Sequence, residues 1–214
     1  MLEDCQDVPM ATPLDTVTWP VRTARLSLRA ATPHDVEPTW QYRRLANVNH
    51  WITRAPITLD EYRAAFDHPD RLPKTLVIEH DGEVIGDLML AVSNAWAQAE
   101  VVEQARGVQA ELGWAPHPDH AGQGYATEAV RELIRICFED LGLRRVTAGC
   151  FADNEASWRL MERVGLRREQ YAVAESLHRS GAWLDGLGYA LLADEWRGLR
   201  CHDSVLPVEP AANA

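Results

Sequence analysis

Two short stretches of this chain carry residue types suited to chemistry. The first is Ala121-Gly122-Gln123-Gly124-Tyr125-Ala126-Thr127-Glu128-Ala129. Two glycines one residue apart let a backbone approach a ligand closely, and they stand just before an amphipathic run that reads as a helix. The first turn of a helix exposes N–H groups that have no intrahelical partner, with the positive end of the dipole behind them. That arrangement suits a phosphate or pyrophosphate. A tight strand-to-helix turn that needs glycine only for its dihedrals reads the same way. No Gly-Lys-Ser/Thr is present, which excludes a P-loop. No GxGxxG follows the first strand, which argues against a dinucleotide fold.

The second stretch runs from Asn154 to Leu166, Asn-Glu-Ala-Ser-Trp-Arg-Leu-Met-Glu-Arg-Val-Gly-Leu. Asn154, Ser157, Met161 and Val164 share one helical face. Burial of Met161 and Val164 turns Ser157 toward an interior or a cleft. A serine so placed either packs its hydroxyl against the preceding turn or offers it to a ligand.

The elements that must position these residues follow from periodicity. Val21 to Arg29 reads as a strand. Thr32-Pro33 opens a helix expected over 35–45, and a Thr58-x-x-Glu61 capping box opens another over 59–66. Strands are expected at 74–80 and 83–92, joined by the hairpin signal Asp81-Gly82. Residues 93–107 form an insertion, either a short helix or a loop. Strand 108–115 sets Val108, Ala110, Leu112 and Trp114 on one face and Gln109, Glu111 and Gly113 on the other. A helix runs over 125–141 and Gly142 closes it. A strand at 145–151, the helix 154–165, and strands at 168–178 and 182–191 complete the chain. The predicted class is mixed α/β: a mostly antiparallel twisted sheet flanked by helices, with one crossover through 125–141.

The 214 residues suit one domain, taken as 19–197, between a flexible leader (1–18) and a tail (198–214). A charge of −11 argues against general nucleic-acid or anionic-membrane binding. No run approaches a membrane span, and the acidic N-terminus is unlike a signal peptide. Cys5, Cys137, Cys150 and Cys201 are too far apart for a zinc knuckle and read as free thiols in a cytoplasmic protein. No metal is expected.

The stretch 122–129, with Asn154-x-x-Ser157 and Met161-Glu162-Arg163-Val164-Gly165-Leu166, resembles the two cofactor motifs of the GNAT N-acetyltransferase superfamily. Thr23-Ala24-Arg25-Leu26-Ser27-Leu28-Arg29, Asp185-x-x-x-Tyr189 and Glu195-Trp196 resemble its branch that acetylates ribosomal-protein N-termini. The resemblance covers about residues 20–197. Ala121 departs from it, because the family usually places Arg or Gln there.

The resemblance implies a GNAT fold and direct attack of a primary amine on the thioester of acetyl-CoA or another acyl-CoA. It assigns cofactor contacts to Trp114, Ala115, His117, Ala121, Gly122, Gln123, Gly124, Tyr125, Ala126, Thr127, Asn154 and Ser157. A backbone N–H near Trp114 or Ala115 would meet the acyl carbonyl. Ser157, or the neighbourhood of Tyr125, would serve the sulfur, and Asn154 the pantetheine arm. Glu111 is the expected base, with His117 and His120 as alternatives.

The acceptor, a protein N-terminus or a small amine, is expected among the segments 40–51, 93–107 and 171–183. Trp40, Tyr42, Trp51, Trp96 and Trp183 mark that pocket. A homodimer is possible by this reading. The rival readings are a catalytically silent acyl-CoA sensor or assembly module and, more remotely, a nucleotide-binding protein.

Overall fold

The computed structural model of the chain describes residues 13–203, with side chains to residue 199. In chain order the elements are β1 (Val21–Arg22), β2 (Ser27–Ala30), α1 (Val36–Arg43), α2 (Ala46–Asn49), α3 (Leu59–Phe66), β3 (Thr75–His80), β4 (Glu83–Ser93), β5 (Gln109–Pro116), α4 (Tyr125–Arg135), β6 (Arg145–Phe151), α5 (Glu155–Arg163), β7 (Arg167–Leu177), β8 (Trp183–Leu192) and α6 (Ala193–Asp203). The strands form one eight-stranded sheet in the order β1-β2-β3-β4-β5-β6-β8-β7. Every neighbouring pair is antiparallel except β5 and β6, which α4 connects. This is the mixed, mostly antiparallel sheet expected from the sequence.

Alternation decides which helices cover which face. Leu88, Leu90, Ala110, Leu112, Val146 and Ala148 share a core with Ala129, Val130, Leu133 and Ile134 of α4 and with Leu160 and Met161 of α5. Val36, Tyr62 and Phe66 form a smaller cluster among α1 and α3. Those helices lie against the opposite face, where buried Asp87 of β4 accepts the Tyr42 hydroxyl at 2.6 Å and Arg43 Nε at 2.8 Å. Burial, then the Asp87 charge, holds the Tyr42 phenol well above its ordinary pKa.

Several boundaries differ from expectation. The strand expected over 21–29 is split, because Thr23 turns the chain: its N–H donates to Leu26 O and its hydroxyl accepts from Leu26 N, both at 2.9 Å. The helix expected over 35–45 ends at Arg43. The insertion is a 3-10 segment, Ala99–Ala105, after an irregular stretch. α4 widens into a π turn at Ile136–Asp140 before Gly142 turns the chain at φ +63°. At the ends, Leu14 is buried in the core and Trp19 Nε1 donates to Leu14 O at 2.8 Å. Packing therefore begins before residue 19, and α6 runs past residue 198. No described helix is long and apolar enough to cross a membrane. Cys137 and Cys150 are free thiols, whereas Cys5 and the Cys201 side chain lie outside the described part.

Candidate active site

The glycine turn forms as its composition requires. Gly122 and Gly124 hold φ of +76° and +80°, the left-handed region that glycine enters without strain. The first intrahelical bond of α4 is Glu128 N to Gly124 O at 3.0 Å. The N–H groups of residues 122–127 therefore meet no protein acceptor among the described residues. A Cβ built on Gly122 touches nothing within 4 Å, so the space above the turn is open. Successive unpaired N–H groups around an open space fit a pyrophosphate, and acyl-CoA carries one. The null side chain at Ala121 does not alter that cradle, because the donors are backbone.

The turn is held from behind. Glu128 accepts the Thr23 hydroxyl at 2.6 Å, Arg25 N at 2.9 Å and Arg25 Nε at 2.8 Å. Arg25 Nη1 donates to Gln123 O at 2.9 Å, and its guanidinium lies 4.5 Å above the Tyr125 ring. The Tyr125 hydroxyl meets His80 Nε2 at 3.0 Å. Sequence spacing gave no sign of the Glu128–Arg25 contact, which joins residues 103 positions apart.

Beside the turn the sheet opens. β5 pairs with β4 along its whole length, and β6 pairs with β8 along its own. The two pair with each other only from Gln109↔Arg145 to Glu111↔Thr147. Beyond that point residues 112–116 and 148–151 border a gap. Arg144 N donates to Val108 O and Thr147 Oγ1 to Ala110 O, so even-numbered peptide groups of β5 face β6. His117 N donates to Ile85 O, so odd-numbered ones face β4. By alternation the N–H groups of Leu112 and Trp114 point into the gap and that of Ala115 into the ladder with β4. Of the two expected carbonyl donors, the ladder geometry retains Trp114.

α5 brings the second motif to the same gap. Asn154 is its N-cap, its Oδ1 accepting Ser157 N at 3.3 Å. Asn154 lines the cleft, and its amide nitrogen meets no acceptor among the described residues. The Ser157 hydroxyl lies beside the Cys150 thiol of β6. Burial raises that thiol's pKa and the serine contact partly offsets it. Glu111 lies at the vertex where β5 and β6 part, on the face opposite Leu112, exposed and without a side-chain partner among the described residues.

One cleft of about 2220 Å³ runs through these parts. Its lining includes Glu111, Trp114, Ala115, Ala121, Gly122, Gly124, Tyr125, Ala126, Thr127, Asn154 and Ser157 together with His120 and Trp51. Gln123 is not part of the lining; its carbonyl accepts Arg25 Nη1 behind the turn. His117 stays outside the lining: its Nδ1 caps the short turn after β5, accepting Asp119 N at 3.2 Å, and its ring sits 5.4 Å from Tyr42. The tryptophans divide. Trp51 walls the cleft. Trp40 packs on Tyr62 at 5.4 Å, inside the α1–α3 cluster. Trp96 is 89% exposed and Trp183 61% exposed, both away from the lining. Apolar mass alone, without pairing partners, does not reveal which tryptophan reaches the cleft.

Trp51 owes its place to a residue that the sequence did not single out. Buried His178, in the turn between β7 and β8, meets His50 O with Nε2 at 2.9 Å, and neighbouring Arg179 donates to Ile52 O. His178 Nδ1 accepts Ser180 N at 3.2 Å, which leaves Nε2 as the nitrogen facing His50 O. The rings of Trp51, His178 and Phe151 pack within 6.0 Å of one another. Among the described residues no group of three His, Cys, Asp or Glu side chains is placed to hold a metal.

Residues 25–167 match the acetyltransferase (GNAT) domain family. The chain is 25% identical over 182 residues to the uncharacterized N-acetyltransferase YnaD of Bacillus subtilis (strain 168), covering 82% of this chain and 98% of that protein. The ribosomal-protein-S5-alanine acetyltransferase of Vibrio fischeri shares the fold with a TM-score of 0.66 at 16% identity, over 84% of this chain and 99% of that one. The spermidine N-acetyltransferase of Vibrio cholerae, solved with CoA and spermine, does so with a TM-score of 0.65 at 19% identity, over 82% and 99%. A matched region of that extent, on a sheet that parts beside a glycine-turn helix, leaves one assignment: the chain belongs to the GNAT acetyltransferase family.

Proposed function

We propose that the protein transfers an acetyl or other short acyl group from acyl-CoA to a primary amine by direct attack in the gap between β5 and β6. The observation that carries this reading is the run of unpaired N–H groups at 122–127 opening onto the edge where the two strands part. Acyl-CoA supplies the activated acyl thioester. The backbone of residues 122–127 binds its pyrophosphate, with no positive side chain needed. The amide of Asn154 donates to the pantetheine arm. The Trp114 N–H, fixed by the β4 ladder, stabilises negative charge on the acyl carbonyl.

Ser157 gives a hydrogen bond to the departing thiolate. Its place beside the Cys150 thiol, with both side chains lining the cleft, supports this role. Glu111 takes the proton of the attacking ammonium, directly or through water, because only a neutral amine has the lone pair for attack. Its carboxylate at the vertex is exposed and makes no ion pair among the described residues. The amine enters past Trp51 and Glu111, on the face of the sheet opposite α4.

The acceptor class remains a protein N-terminus or a small amine, the two kinds named for the neighbouring structures. The test is thiol release from acetyl-CoA, with succinyl-CoA beside it, against a panel of amines and N-terminal peptides. Amine-dependent thiol release with formation of the N-acyl product supports transfer. Tight acyl-CoA binding with no release against any amine supports the silent sensor instead.

A further inference from the structure

We propose that Arg43 and Arg71 form a carboxylate subsite on the acceptor side of the cleft, so that one of the two substrates bears a carboxylate near the reacting centre. This rests on the reading of the gap as the place where acyl-CoA and an amine meet, and it narrows the substrate class of that reaction. The carboxylate belongs either to the acceptor amine, which enters on that face, or to the far end of a dicarboxylic acyl group.

The first observation is position. In the β4–β5 ladder Asp87 stands opposite Ala115, Met89 opposite Gly113 and Ala91 opposite Glu111, so Asp87 and Glu111 share the face away from α4. Arg43, at the end of α1, is fixed to Asp87 by Nε at 2.8 Å and by Nη2. Arg43, Asp87 and Glu111 all line the cleft. Four residues separate Ala115 from Glu111 along β5, a span of about 13 Å. Side chains reaching inward from the two ends leave room for a few bonds between a reacting amine at Glu111 and a carboxylate at Arg43.

The second is convergence. Arg71, just before β3, lines the same cleft and lays its guanidinium over the rings of Tyr62 at 5.4 Å and Phe66 at 5.2 Å. Tyr62 of α3 feels both arginines. Burial and then the Asp87 charge raise its phenol's pKa, and the charges of Arg43 and Arg71 oppose that rise. Two guanidiniums from different segments thus gather near one phenol at the wall of the cleft.

The third is the charge left over. Asp87 is already engaged: it pairs with Arg43 and accepts the Tyr42 hydroxyl at 2.6 Å. Glu61, the lining carboxylate of α3, accepts Ile57 N at 2.9 Å. No carboxylate pairs with Arg71 among the described residues, and its guanidinium makes no described hydrogen bond. Arg43 Nη1 has no described partner either. A guanidinium presents its donors as a planar fork that matches a carboxylate. Anchoring α1 to the sheet accounts for Nε and Nη2 of Arg43, and covering the α1–α3 cluster accounts for the stacking of Arg71. Neither accounts for an unpaired cation and unused donors at the cleft wall in a chain of net charge −11.

The experiment is calorimetry on the full chain, in two arms. In one, protein saturated with CoA is titrated with alanylglycine and with γ-aminobutyrate, each beside its amide. In the other, free protein is titrated with succinyl-CoA beside butyryl-CoA. The carboxylate-bearing member is expected to bind about tenfold more tightly in one arm, equivalent to about 1.4 kcal/mol. Preference in the first arm assigns the subsite to the acceptor, and preference in the second assigns it to the acyl group. Arg43→Gln would strand the buried Asp87 charge, so Arg71 is the residue to change. Arg71→Gln, which breaks no described hydrogen bond, should reduce the preference roughly three- to tenfold, and Arg71→Lys should retain part of it. No preference by wild type in either arm, or a full preference kept in folded Arg71→Gln, overturns the proposal. Thiol release in the same pairings reads the transfer itself. Turnover without carboxylate preference leaves acyl transfer standing and removes the subsite, whereas preference without turnover keeps the subsite and removes the transfer.

Discussion

The Glu128 carboxylate holds Arg25 at three points, its backbone N–H at 2.9 Å, its Nε at 2.8 Å and its Nη2 at 2.7 Å, and so ties the turn between β1 and β2 to the first turn of α4. Burial pushes this carboxyl's pKa up, but the bonds from Thr23 and Arg25 outweigh that and leave it below the ordinary glutamate range. The clamp therefore contributes stability that is fully present above the unfolded carboxyl's pKa and is lost as pH falls through the folded one. Acetyl-CoA affinity should hold from neutrality down through that range and decline only below it. Glu128→Gln should raise the acetyl-CoA Kd several-fold. It should also cost about 1 kcal/mol, which lowers Tm by roughly 2–4 °C. Calorimetry across pH, with thermal melts, reads both.

Ser157→Ala should lower kcat by one to a few orders of magnitude, within the range of about 10²–10⁴ that general acid–base groups contribute, and leave acetyl-CoA Kd nearly unchanged. The Cys150 thiol loses its hydroxyl partner in this variant but stays protonated, since burial has raised its pKa. Steady-state kinetics beside calorimetry separate the two constants. An unaltered kcat would assign the hydroxyl to packing on Cys150.

Glu111→Gln should flatten the acidic limb of the pH–rate curve for kcat/KM and leave acetyl-CoA binding intact. The side chain is exposed and makes no ion pair among the described residues, so the substitution removes a proton acceptor without breaking a described contact. A limb that persists transfers the base role to His120, the histidine lining the cleft.

Trp51→Ala should raise KM for the amine several-fold with acetyl-CoA Kd unchanged, because Trp51 lines the cleft and packs on Phe151 and His178, not on the glycine turn. Trp96→Ala should leave both constants at the wild-type value, since that side chain stands 89% exposed and away from the lining. A changed amine KM in the Trp96 variant would move the acceptor path toward the segment 93–107.

Local signals in the chain translated directly into structure. Asp81-Gly82 makes its hairpin with both residues at positive φ, and Glu61 N donates to the Thr58 cap at 3.2 Å. Gly165 ends α5 at φ +94°. The glycine turn, Asn154, Ser157 and Glu111 were identifiable for the same reason: each depends on neighbours within a few positions, or on strand alternation. The Glu128–Arg25 clamp and the His178–His50 contact were not, because they join residues 103 and 128 positions apart and involve types that usually serve as solvated surface. The choice of Trp51 over Trp40, Trp96 and Trp183 is fixed by the His178 turn, a tertiary contact that neither aromatic content nor loop position encodes. The parting of β5 and β6 likewise arises from pairing partners on their outer sides.

The most direct test of the account is acetyl-CoA affinity in Gly122→Val. A side chain at this position meets no protein atom within 4 Å, so beyond the backbone strain at φ +76° its bulk is felt only by whatever occupies the turn. With the variant shown to be folded by circular dichroism, calorimetry should find acetyl-CoA bound at least tenfold more weakly than by wild type, a loss of about 1.4 kcal/mol or more. Unchanged affinity in the folded variant would contradict the assignment of residues 122–127 as the phosphate cradle.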